Sequence, residues 1–167
     1  MKKHVAIPLA VLMIGIMATP ILAMRGPTLV DTALAVNEDT GEFSILIAAL
    51  QAEGKLIDQL MRNGQYTVFA PTDEAFLDLF VEIGKTPGEV LADKELLSSV
   101  LGYHVVRGNR DSTAVTSSTR MRSINGNWIM VEGTQLTDQQ GRESNIVLPD
   151  VRARNGVIHV IDKVILP

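Results

Sequence analysis

The chain has 167 residues, of which 46% are hydrophobic, with a formal net charge of −4 and no cysteine. That length suits one domain with a core of its own, and the lack of cysteine excludes a disulfide framework and thiol chemistry. A mildly acidic chain without a basic cluster is a poor match for nucleic acid, and Arg152 and Arg154 are too few to change this.

The chain opens with an address. Lys2, Lys3 and His4 precede an apolar run from Val5 to Met24, the charged and hydrophobic regions of an export signal. Cleavage is expected after Ala23, taking 15 basic residues to 13 against 19 acidic ones, a balance of −6. The alternative is an uncleaved anchor, because 20 apolar residues reach across a bilayer. Pro8, Gly15 and Pro20 weaken that helix. The expected organisation is a signal peptide (or anchor) over 1–23, a linker over 24–37 and a domain over 38–167. The domain is expected outside the cytoplasm, secreted, periplasmic or at the cell surface, and at a membrane only if residues 1–23 are retained.

Helical spacing comes first in the domain. Phe43, Leu46, Ile47 and Leu50 share one face, with Gly54 as a stop. Leu56, Ile57, Leu60 and Met61 repeat it. A short strand is expected over Tyr66–Ala70 and ends at Pro71, which lacks a ladder N–H. Thr72 or Asp73 then caps a helix carrying Phe76, Leu79 and Phe80 and stopping at Gly84. Thr86-Pro87-Gly88-Glu89 reads as a capping box with proline at the first helical position. Asp93 caps a last helix carrying Leu96, Leu97, Val100 and Leu101.

Strands follow. Tyr103–Val106 is expected to be extended, then Thr113–Thr116, Met121–Ile124, Trp128–Glu132, Thr134–Thr137 and Asn145–Leu148. Asn125-Gly126 marks a hairpin. The last thirteen residues, NGVIHVIDKVILP, place an Asn155-Gly156 turn before a β-branched run. Apolar residues on both of its faces predict a strand buried on both sides, with His159 in the interior beside Val157 and Ile161. Helices before a run of antiparallel strands indicate an α+β domain.

Three blocks carry a family likeness: YTVFAPTDEAF, with Thr67, Phe69, Pro71, Thr72 and Phe76; the Tyr103-His104 pair; and the terminal block, with Asn155, Gly156 and His159. In this order and spacing they resemble the fasciclin-type (FAS1) adhesion domain, over roughly residues 37–167, in a single copy. The resemblance implies a wedge of two β-sheets with a layer of N-terminal helices. It also implies an exported, non-enzymatic module that binds a cell-surface or extracellular-matrix protein or polysaccharide. Some family members engage receptors through a Tyr-His element and an Asp-Ile pair before the terminal block. Here Tyr103-His104 and Asp150-Val151 stand in those places, as the candidate adhesion surface. The competing reading is that Asp150 caps a turn and Val151 packs inward.

Chemistry has weaker support. After His4 is assigned to the signal, His104 and His159 remain, without metal-ligand spacing. No serine lies in a Gly-x-Ser-x-Gly elbow. No metal, cofactor or catalytic residue is therefore expected, and a hydrolase is the remote alternative. A module for a hydrophobic ligand or pigment, held between packed layers, is the nearer one.

Overall fold

The computed structural model describes residues 26–62 and 64–167, so the expected signal peptide or anchor over 1–23 lies outside the described residues. Three helices open the fold: α1 (Leu29–Thr40), α2 (Ser44–Glu53) and α3 (Lys55–Met61). After β1 (Tyr66–Pro71) come α4 (Asp73–Ile83), α5 (Pro87–Ala92) and α6 (Lys94–Tyr103). The remainder is β2 (Val105–Arg107), α7 (Ser112–Thr116), β3 (Arg120–Arg122), β4 (Trp128–Glu132), β5 (Gln135–Thr137), β6 (Glu143–Ala153) and β7 (Gly156–Ile161).

Local chemistry explains most boundaries. Thr72 caps α4 by accepting from the Ala75 N–H, and Gly84 ends the helix in the left-handed region at φ 65°. The Thr86–Glu89 capping box is complete, with Thr86 N donating to Glu89 Oε2 at 2.7 Å. Asp93 caps α6 through the Leu96 N–H.

Two expectations fail for capping reasons. The segment assigned as a linker, 24–37, contains most of α1: Thr28 and Asp31 form a reciprocal capping box, Gly41 closes the helix, and Leu29 is buried. The folded unit therefore begins before residue 38. The second concerns Thr113–Thr116, expected as a strand, which is α7. Asp111 accepts from the Ala114 N–H and Asp150 from the Ser112 N–H, so two carboxylates cap the first turn and override β-branched propensity. Tyr103 also belongs to α6 rather than to an extended segment, and the strand starts at Val105.

The seven strands run in the order β2-β1-β7-β6-β5-β4-β3. β1 and β7 are parallel, in register from Tyr66↔Gly156 to Pro71↔Ile161. β6 is the strand shared by both halves. Its start pairs with β5 (Asn145↔Gln135) and its end with β7 (Val151↔Ile158, Ala153↔Gly156). The expected two-sheet wedge is thus realised as two strand layers joined through β6.

The pleat of β1 and β7 separates two cores. Ala70, Ile158 and Val160 face the helices with Leu46, Leu50, Phe76 and Leu101. Phe69 and Ile161 face the other way, against Met121, Ile129, Val131 and Leu136 of the second layer. Every residue of β7 is buried, as a strand covered on both faces requires. The strand stops at Ile161, earlier than its composition implies. Asp162 accepts from Asn145 N at 2.7 Å and turns the chain, while Val164 and Ile165 stay buried beyond the turn.

Candidate functional site

The residues singled out by resemblance come together, but inside the protein. Tyr103 is 0% exposed and His104 2%. The Tyr103 hydroxyl donates to the Trp128 carbonyl at 2.7 Å, and burial raises its pKa to about 12. His104 Nδ1 faces the Val100 carbonyl at 2.7 Å, while Nε2 accepts from the Ile165 N–H at 3.2 Å. A ring that accepts at Nε2 must carry its proton on Nδ1, so these partners select one neutral tautomer. Burial lowers the His104 pKa to about 4. Neither residue presents atoms to an outside partner, which removes Tyr103 and His104 from the candidate adhesion surface.

Asp150 and Val151 are also structural. Asp150 lies between the register steps Leu148↔Val160 and Val151↔Ile158, an irregularity next to Pro149, at φ 61°. The bend aims its carboxylate at α7, where it accepts from Ser112 N at 2.8 Å and Ser112 Oγ at 2.5 Å. These bonds hold the carboxyl below its ordinary pKa of 3.8. Asp150 therefore caps a helix rather than a turn. Val151 packs against the helix-side core.

Thr67 and His159 complete the arrangement from β1 and β7. The Thr67 hydroxyl donates to the Gly108 carbonyl at 2.7 Å and accepts from Arg110 N at 2.9 Å. His159, fully buried and stacked on Phe69 with ring centroids 5.7 Å apart, has its Nε2 2.8 Å from the Arg110 carbonyl. Its Nδ1 accepts from the Asp150 N–H at 3.2 Å. Thr67, His159 and Asp150 thus pin the loop from Gly108 to Ser112. Both ring nitrogens of both histidines are engaged by main chain, so neither imidazole is poised to serve a serine as a base.

The Asn155-Gly156 pair works differently from a primed hairpin turn. Ala153 pairs with Gly156, so Arg154 and Asn155 form the loop. The Asn155 side chain accepts from the Leu29 N–H at 2.8 Å and donates to the Leu60 carbonyl, tying α1 to the end of α3. Glycine is required at 156 because a Cβ there would lie 1.9 Å from the Tyr66 carbonyl oxygen.

What the pinned loop positions is a surface feature that the motif blocks do not contain. An open cleft of about 480 Å³ is lined by Arg107, Arg110, Arg120 and Arg122 together with Trp128. Its floor includes Val106, Met121 and Ile124. Here the two outer strands of the sheet order meet: Val106 bridges Ser123, and Ile124 N donates to the Val105 carbonyl at 2.8 Å. The Arg120 and Arg122 guanidinium carbons lie 4.4 and 5.9 Å from the Trp128 ring centroid. The expectation of no basic cluster is thereby corrected. The signal was present as four arginines between positions 107 and 122, spaced so that only folding unites them.

Two strand layers, a helical layer and an inward-facing set of polar motif residues define a fasciclin-type domain. The chain belongs to the fasciclin-domain family, whose family model (Fasciclin domain) matches residues 41–167. It is 34% identical over 143 residues to the Synechocystis protein sll1735, covering 84% of this chain and 98% of that protein. It is 32% identical over 124 residues to the cell surface glycolipoprotein MPB83 of Mycobacterium bovis, covering 74% of this chain but only 53% of that protein. A FAS1 domain pair from the insect cell adhesion molecule Fasciclin I superposes with a TM-score of 0.66 at 19% identity, over 84% of this chain and 51% of the pair.

Proposed function

We propose that this protein is exported and acts as a non-enzymatic adhesion module, binding a protein or polysaccharide of the cell surface or extracellular matrix. The observation that carries this reading is the use of its reactive side chains. His104 and His159 spend their ring nitrogens on backbone partners, and Asp150 spends its carboxylate on Ser112. The arginine cleft, by contrast, offers charged side chains to the surface. Family membership, one relative at a cell surface and a structural neighbour from an adhesion molecule support it. The space between the strand layers is filled by Phe69, Tyr103, Ile129 and Leu136, which weighs against a pigment carrier.

Full-length exported protein displayed on beads is expected to adhere to the envelope of its own producer or of a neighbouring cell. Beads carrying an unrelated acidic protein are expected not to. Absence of adherence across a panel of cells and immobilised glycans would sink the reading. A stoichiometric small molecule in an apolar extract of natively purified protein would favour the ligand-carrier alternative.

A further inference from the structure

The cleft concentrates a charge that the chain as a whole lacks. The sequence carries 19 acidic residues against 15 basic ones, yet among the described residues four arginines and no carboxylate line this cleft. The two ion pairs among the described residues, Lys85–Asp93 and Arg142–Glu82, use none of the four. Arg110 is the deepest, and its Nε is buried without a hydrogen-bond partner among the described residues. A buried donor left without an acceptor is rare in a folded protein, so Arg110 spends no Nε hydrogen bond on the interior, and the rest of its guanidinium faces the cleft it lines.

We propose that this cleft binds an acidic polysaccharide, a sugar chain bearing carboxylates, at Arg107, Arg110, Arg120, Arg122 and Trp128. The assignment rests on the extracellular binding role proposed above and gives it a partner chemistry. Guanidinium forks match carboxylates two bonds at a time. Arg120 and Arg122 are held against Trp128, so less freedom is lost when they engage an anion. Trp128 is 41% exposed and adds a flat, amphipathic surface suited to the C–H face of a sugar ring. A peptide joining the sheet as an extra strand fits less well. The outer strands already bond to each other at the cleft floor, through Val106↔Ser123 and Ile124 N to Val105 O. Recognition there falls to side chains.

The interior network gains a purpose on this reading. Thr67 and His159 hold the main chain of Arg110, and Tyr103 holds the carbonyl of Trp128. Three motif residues thereby set the position of two cleft residues. They are positioning residues, at one remove from the partner.

The test uses the full chain at low ionic strength, titrated calorimetrically with alginate oligosaccharides, neutral dextran, polyglutamate and oligothymidylate. Wild type and the charge-matched control K55Q/K94Q are expected to bind alginate alike and to ignore dextran. R120Q/R122Q is expected to bind alginate about a hundredfold more weakly, since each of the two charged hydrogen bonds removed is worth roughly a decade. All three proteins are expected to share one urea midpoint; if R120Q/R122Q does not, R107E must show the weakening instead. No alginate binding by wild type, equal loss in both double variants, or tighter binding of polyglutamate or oligothymidylate would each overturn the proposal. Bead adherence that persists without alginate binding would overturn the cleft assignment alone and leave the adhesion role standing.

Discussion

His104 gives the protein a built-in sensitivity to acid. Its ring is buried, bonds as the neutral form and has a pKa lowered to about 4 from an ordinary 6.5. The unfolded chain therefore takes up a proton near pH 6.5 that the folded chain refuses. Stability is complete above that pH and falls between 6.5 and 4, by about 3 kcal/mol at 1.36 kcal/mol per unit. Urea unfolding from pH 7 to pH 4 should show this slope, and His104→Gln should flatten it. An unchanged slope in the variant would refute the assignment. Asp31, Asp150 and Asp162, held below their ordinary 3.8, add a separate loss at lower pH. Thr67 is the other single residue with a large expected effect. Thr67→Val keeps the shape but strips partners from the Gly108 carbonyl and the Arg110 N–H. A loss of roughly 1–3 kcal/mol in urea unfolding is expected for leaving such groups unpaired. A neutral substitution would show that the Gly108–Ser112 loop does not depend on that hydroxyl.

Among the elements, β7 bears most of the fold. It is the parallel partner of β1, the antiparallel partner of β6 and the divider between the two cores. Its entry depends on Gly156, where any side chain would collide with the Tyr66 carbonyl. Gly156→Ala should cost about 3 kcal/mol or more, because strand pairing must open to admit the methyl group. Circular dichroism and urea melts would check this, and a variant within about 0.5 kcal/mol of wild type would show that the strands tolerate a wider spacing. Elements marked by capping residues were legible in advance: α4, α5 and α6 begin where Thr72, Thr86 and Asp93 stand. α1 and α7 were not, although Thr28–Asp31 and Asp111 cap them locally, because distant partners complete them. α7 owes its first turn partly to Asp150, 38 residues away, and α1 is docked through Asn155, 126 residues from Leu29.

At the scale of the whole molecule, polar residues near the family motifs serve the interior, and the exposed chemistry lies elsewhere. Hydrophobic periodicity, caps and the terminal β-branched run determined the helices, the buried last strand and the α+β class. Each of these follows from forces acting within a few residues or from the burial of one face. Whether Tyr103, His104 and Asp150 face a partner or the core was decided only by tertiary structure. Burial and hydrogen-bond partners depend on what packs opposite, and for these residues the partners sit 25, 61 and 38 positions away. The same holds for the arginine cleft. Arg107 and Arg122 become neighbours because the two ends of a seven-strand order meet at Val106 and Ser123, a closure that no local pattern encodes.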